Sequence, residues 1–182
     1  AYIREHAAEW KVDPAKIIVC GSSAAGHLAC SLGVFWDNEL VYDAIGRTPA
    51  QIRPDGLILC YPVITGGEYA HVNSFKRLLG DDVTQEQRDA VSLENFVTEQ
   101  TPRAFIWHTY TDENVPVENS LLLAAAMKRK NVNFELHIYP TGGHGLSLAD
   151  EETAGNGFQV VEQCQSWIPL VKMWLKHFEA SC

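Results

Sequence analysis

Basic residues are scarce in this chain: 14 Lys and Arg stand against 23 Asp and Glu, a formal charge of −9. So acidic a surface repels phosphate backbones and anionic lipid, which argues against nucleic acid and membrane as partners. No apolar run approaches the roughly 20 residues that a bilayer crossing needs. Metal-type spacing is missing too. The five cysteines, at 20, 30, 60, 164 and 182, are scattered and odd in number, so neither a zinc site nor a disulfide framework follows from them. Three of them sit inside apolar runs, the pattern of buried thiols in a reducing compartment, and a cytoplasmic protein is expected. Repeats, low-complexity tracts and interdomain linkers are also absent. What is present, 182 residues that are 46% hydrophobic and 20% charged, suits one globular domain with a full core.

The rest of the chain is organised around residues 16–29. Lys-Ile-Ile-Val-Cys at 16–20 reads as a strand buried on both faces. A turn of small residues follows, and a helix opens at Ala24. This is the frame of a nucleophile elbow, in which a tight turn lifts one hydroxyl clear of a sheet. Ser23 holds the raised position, with Gly21 two residues before it. Ala25 stands where the G-x-S-x-G pattern places its second glycine. A methyl is the smallest possible intrusion there, and Gly26 restores room for the helix to approach the strand. The same residues also spell a serine-capped helix after an ordinary strand. The stretch alone leaves both readings open.

Three more strands are expected, at 56–63, 103–108 and 134–139. The last alternates apolar and polar residues, as at a sheet edge. Helical patterns separate them. Residues 2–11 place Ile3, Ala7 and Trp10 on one face, and a helix follows Ser23. Pro116 opens a long helix that closes on Lys128-Arg129-Lys130, in keeping with the helix dipole. The chain ends on a helix with Trp167, Val171, Trp174, Leu175 and Phe178 along one side. This alternation predicts an α/β domain with a mainly parallel sheet. Residues 64–102 are the least regular, with a short helix near 74–79 and a capping box at Thr84–Gln87. They form a lid-like insertion, where substrate contacts are expected.

Ligands of parallel α/β sheets bind beyond the carboxyl ends of the strands. Three reactive residues follow strands here: Ser23 the first, Asp112 the third and His144 the fourth, within Gly-Gly-His-Gly. Their order is that of α/β-hydrolase triads. Each type is required. A serine hydroxyl is a poor nucleophile until an imidazole takes its proton, and the imidazole needs a carboxylate to fix its tautomer. Singly, Asp112 reads equally as a turn residue and His144 as a solvated loop histidine; together at three strand ends they point to catalysis. Among the other histidines, His27 reads as packing, His108 as strand, His137 as outward-facing, and His6 and His177 as surface. Cys20 reads as core, and Glu113 is a rival to Asp112 that lies one residue nearer the helix.

Gly-Ser-Ser-Ala-Ala-Gly-His-Leu-Ala at 21–29, Asp-Glu-Asn-Val-Pro-Val-Glu-Asn-Ser at 112–120 and Gly-Gly-His-Gly at 142–145 resemble the α/β-hydrolase superfamily. More narrowly, they are similar to its bacterial acetyl-esterase and xylan-esterase-like branch. The resemblance implies a serine carboxylesterase for small acyl esters, with acetyl-sugars in view, that needs no cofactor or metal. It assigns nucleophile, acid and base to Ser23, Asp112 and His144, and one oxyanion donor to the Ala24 N–H. Ser22, Gly66, Tyr69 and His71 are the candidate substrate contacts. The branch carries a His-Gly-Gly-type loop upstream of the elbow, and no such loop precedes Ser23. Residues 1–182 are therefore expected to be one α/β-hydrolase domain lacking the N-terminal strands. A serine peptidase and an inactive binding remnant are the rival functions.

Overall fold

Four apolar runs pair side by side in a parallel sheet in the computed structural model, which describes residues 1–155, 159–176 and 178. They are β1 (Ile18–Ser22), β2 (Gly56–Cys60), β3 (Ala104–Thr109) and β4 (Phe134–Tyr139), in spatial order β1-β2-β3-β4. The register sets Val19 beside Leu57, Leu57 beside Ala104, and Ala104 beside Phe134. Parallel neighbours need crossovers, and helices supply them. Between β1 and β2 run α3 (Ala24–Phe35), α4 (Glu39–Tyr42) and α5 (Pro49–Ile52). They are preceded by α1 (Tyr2–Glu5) and α2 (Ala7–Trp10). Between β2 and β3 lie α6 (Val72–Leu79) and α7 (Gln85–Asp89); α8 (Glu118–Arg129) joins β3 to β4; α9 (Glu162–Gln165) and α10 (Trp167–Lys176) close the chain.

Alternation along β3 divides the core into two layers. Ala104 and Ile106 face α3 and α8, packing with Ala29, Cys30, Leu123, Ala126 and Met127. Phe105 and Trp107 face the other way, onto Trp167, Val171 and Trp174. All six residues of β3 are buried, which fixes the middle of the sheet. Burial of each large apolar side chain adds about 1.5–3 kcal/mol.

Two expectations are corrected at β1. Among the described residues it is the terminal strand of this sheet, bonded to β2 alone, so Ile18 and Val19 are half-buried rather than enclosed on both faces. Cys20 is exposed, not core, for the same reason. The helix expected over 2–11 breaks at His6 into α1 and α2. Ala7 alone of its apolar face is buried, while Ile3 and Trp10 stay exposed and Trp10 stacks on the His6 ring. The final helix is described as Trp167–Lys176, and Phe178 packs on the same core layer; His177 lies outside the described residues.

Residues 64–102 are packed into the domain along much of their length. Ile64, Leu93 and Val97 belong to the α3/α8 core layer, and Phe75 is buried with Val63 and Val115. The buried Asn119 of α8 accepts the N–H groups of Ile64 (2.9 Å) and Thr65 (3.0 Å). It also donates to the carbonyls of Tyr69 and Pro116. One amide thus satisfies both ends of a loop that has no sheet of its own to bond to.

Candidate active site

The turn after β1 works because two glycines allow two close approaches. A Cβ on Gly21 would lie 2.1 Å from the Ala25 carbonyl oxygen, and one on Gly26 would lie 2.7 Å from the Pro62 Cβ. Ala25 points to solvent. Its methyl is therefore not packed in the core, and Gly26 carries the packing requirement. Ser23 sits at φ 55°, ψ −122°, a conformation that a non-glycine residue holds only when its surroundings force it. Both its backbone groups are tied: its N–H donates to the Cys60 carbonyl (3.0 Å), and its carbonyl accepts the Val63 N–H (3.0 Å). Ala24 follows as the first residue of α3, so its N–H belongs to the set that a helix cannot satisfy internally.

The Ser23 Oγ lies 2.7 Å from His144 Nε2, and His144 Nδ1 lies 2.6 Å from Asp112 Oδ2. The carboxylate accepts the Nδ1 proton, which leaves Nε2 free to accept from the serine hydroxyl. Asp112 is held from several sides. Its Oδ1 accepts the N–H groups of Asn114 (3.0 Å) and Val115 (2.9 Å). Its Oδ2 also lies 3.4 Å from Nε2 of the fully buried His108. Burial alone raises the Asp112 pKa, but the hydrogen bonds from His108, His144 and Val115 overcome it and hold the carboxyl well below its ordinary value. His108 is oriented in turn by Ser120 Oγ at Nδ1 (2.8 Å) and by the Val115 carbonyl at Nε2 (2.9 Å). The Glu113 side chain, the rival carboxylate, lines a surface cavity beside His144 instead.

Gly142 fastens the loop that carries His144. Its carbonyl accepts from Thr109 Oγ1 and Thr111 Oγ1, both at 3.0 Å, and its N–H donates to Thr111 Oγ1. Tyr61, directly after β2, packs edgewise on the His144 ring with centroids 5.2 Å apart. The sequence reads His108 as a strand residue and gives Tyr61 no role. Both stand at strand ends, the same signal that marks Ser23, and that position is the signal that could have found them.

The candidate substrate contacts fall in different places. Ser22 ends β1 and is exposed. Gly66 is buried with its N–H on Ser92 Oγ (2.9 Å), and a Cβ there would press on Arg88. Tyr69 is 36% exposed, on the loop that Asn119 holds. His71 contacts Ser74 Oγ (2.8 Å). Burial lowers the His71 pKa, the charges of His144 and Arg77 lower it further, and Asp112 opposes them. His71 is therefore within electrostatic reach of the serine–histidine–aspartate chain. Two cavities lie nearby, one bordering Ala24 and the other His144. One, about 490 Å³, runs from Ala24 along α3 to Phe35 and is walled by Phe75 and Leu78 of α6. The other, about 470 Å³, is polar, bounded by Thr111, Glu113, Asn114, Thr141, His144 and Gln159. Among the described residues, no cluster of His, Cys, Asp and Glu is arranged to hold a metal ion.

A parallel sheet flanked by helices, with a strained serine on the strand-to-helix turn and a histidine and aspartate from later strand ends, defines an α/β-hydrolase. Residues 1–127 match the BD-FAE family model, and the chain belongs to that family. It is 42% identical over 155 residues to an endo-1,4-beta-xylanase B from Butyrivibrio fibrisolvens, a match covering 83% of this chain and 24% of that protein. It is 30% identical over 151 residues to an acetylxylan esterase from Xylanibacter ruminicola, covering 80% of this chain and 29% of the relative. The crystal structure of an acetyl ester-xyloside bifunctional hydrolase from Caldicellulosiruptor lactoaceticus superposes with a TM-score of 0.75 at 39% identity, covering 94% of this chain and 62% of that one. The chain thus spans about a quarter of the curated relatives and under two-thirds of the solved one.

Proposed function

We propose that this protein is a serine carboxylesterase that removes small acyl groups, acetyl foremost, from sugar hydroxyls. The observation that carries the proposal is the unbroken chain Ser23 Oγ–His144 Nε2 (2.7 Å) and His144 Nδ1–Asp112 Oδ2 (2.6 Å). Ser23 attacks the ester carbonyl as His144 takes its proton. The oxyanion rests on the Ala24 N–H at the start of α3, and His144 then protonates the leaving alcohol. Water repeats the sequence on the acyl-enzyme. Asp112 stays ionised throughout, because its hydrogen bonds hold its pKa down. The leaving alcohol must lie beside His144 to receive its proton. The cavity bordering that residue offers Glu113, Asn114, Thr111 and Gln159 to hydroxyl groups, which suits a sugar better than an alkyl chain. Ser22, Tyr69 and His71 are proposed as further substrate contacts, and Gly66 as the packed base of the loop that presents Tyr69. The acetylxylan esterase relative supports the same chemistry.

The test compares acetylated xylo-oligosaccharide with an aryl acetate that carries no sugar. Wild-type protein is expected to hydrolyse both, and Ser23→Ala neither, with its melting temperature unchanged. Hydrolysis by Ser23→Ala at the wild-type rate moves the nucleophile elsewhere and ends the proposal.

A further inference from the structure

The catalytic reading above leaves one buried residue beside His144 without a role. Tyr61 holds φ at 38°, is 5% exposed and directly follows β2. A bulky residue in that backbone region is disfavoured and persists only where neighbours over-determine it. Here they do. The Tyr61 N–H donates to the Trp107 carbonyl at 2.7 Å, and its ring stands edgewise on Trp107 with centroids 5.0 Å apart. The hydroxyl accepts the N–H of Ser147 at 3.1 Å. Ser147 is itself at φ 54°, and its carbonyl accepts from Trp167 Nε1 at 3.0 Å. One side chain therefore grips the loop three residues past His144 by its tip and meets the imidazole, at 72° between ring planes, with its ring.

The need for such a grip follows from what else holds His144. Asp112 fixes one ring nitrogen, and the Thr109 and Thr111 hydroxyls clamp Gly142, two residues before the base. A single hydrogen bond at Nδ1 leaves the ring free to tilt about that contact, which swings Nε2 away from Ser23. Proton transfer is sensitive to small displacements of this kind. We propose that Tyr61 is a positioning residue: its ring blocks the tilt, and its hydroxyl anchors the far side of the loop so that Nε2 stays on the serine. Tyr61 makes no contact with the reacting atoms under this assignment. Its backbone strain is the structural cost of bringing an aromatic ring to that spot from the end of β2.

The inference rests on the Ser23–His144–Asp112 reading, so the experiment runs Ser23→Ala alongside Tyr61→Leu and Tyr61→Phe in the full chain, with aryl acetate as substrate. Tyr61→Leu is expected to lower kcat by about 10- to 100-fold with KM unchanged. It should also weaken the far-downfield proton resonance of His144 Nδ1–H, which reads ring order without any turnover. Tyr61→Phe keeps the ring and loses the Ser147 anchor, so it should fall between Tyr61→Leu and wild type on both measures. It also serves as the folded comparison if Tyr61→Leu does not fold. Wild-type kcat and an unchanged resonance in Tyr61→Phe and in any folded Tyr61→Leu overturn the role of Tyr61 while Ser23→Ala stays inactive. Activity in Ser23→Ala overturns the catalytic reading beneath it.

Discussion

At the scale of single residues, Asp112 shows how a carboxyl proposed for catalysis also bears on stability. It is buried, yet hydrogen bonds from His108, His144 and the Val115 N–H favour its ionised form over the neutral one. A carboxyl whose folded pKa lies below its unfolded value, about 4, stabilises the fold fully above that pH and loses the contribution as pH falls through the folded value. Asp112→Asn is therefore expected to be less stable than wild type at neutral pH. The gap between the two should narrow progressively as pH falls below about 4, as measured by urea unfolding at a series of pH values. A gap that widens in acid would reverse the assigned direction. Activity should drop about 10³- to 10⁴-fold, since an amide at that position favours the wrong imidazole tautomer. Cys20 belongs to the same scale. It is exposed, and the neighbouring Cys60 thiol hydrogen-bonds it and lowers its pKa below that of an ordinary thiol. Burial, in contrast, pushes the Cys30 thiol up to about 12. The reading of Cys20 as core fails, while Cys30, Cys60 and Cys164 are buried.

At the scale of elements, the strand–turn–helix unit separates what a pattern requires from what a packing contact requires. The pattern asks for glycine at 25, but space is short at 26, where a Cβ would lie 2.7 Å from Pro62. Gly26→Ala should cost about 1–3 kcal/mol through overpacking, and its shift of the Ser23 turn should lower activity as well. Ala25→Gly should leave activity unchanged and weaken α3 by no more than about 1 kcal/mol, the ordinary helix penalty of glycine. Thermal melts and aryl acetate hydrolysis of both variants check the pair, and equal damage from the two would refute the packing argument. The elbow was legible because its constraints are local: an apolar strand, small turn residues and a helix in unbroken succession. Strands β2 to β4 were legible for a like reason, being short apolar runs bounded by proline, glycine or polar loops. Ser23, Asp112 and His144, which the structure brings within hydrogen-bonding distance, are legible from strand ends combined with residue chemistry. The contacts of Asn119 and Tyr61 were not legible. Asn119 meets residues 50 to 55 positions away, and Tyr61 meets Ser147 across 86. Nothing in a local pattern encodes such pairings.

At the scale of the whole molecule, the two ends of the sheet differ. β4 is guarded: Glu135 and His137, 2.7 Å apart, place polar groups along it. β1 carries Ile-Val-Cys-Gly-Ser with no charge or proline, and among the described residues it bonds to a strand on one side alone. Exposed apolar side chains accompany that edge in the chain, Leu28 at 72% and Leu40 at 83%. An unpaired apolar strand is a template for another strand, since its outward N–H and C=O groups still seek partners. The 182-residue chain is therefore expected to self-associate as its concentration rises, through β1. Cys20→Lys tests this directly, because Cys20 is exposed on β1 and a lysine there puts a charge on the edge strand. Light scattering across a concentration series should show wild-type protein growing in mass and Cys20→Lys remaining closer to monomer, with the same circular dichroism spectrum. Association that persists unchanged in Cys20→Lys, in reducing buffer to exclude disulfides, places the sticky surface elsewhere, with the exposed leucines of α3 and α4 next in line. A wild-type chain that stays monomeric at every concentration means that the outer edge of β1 is shielded despite its composition.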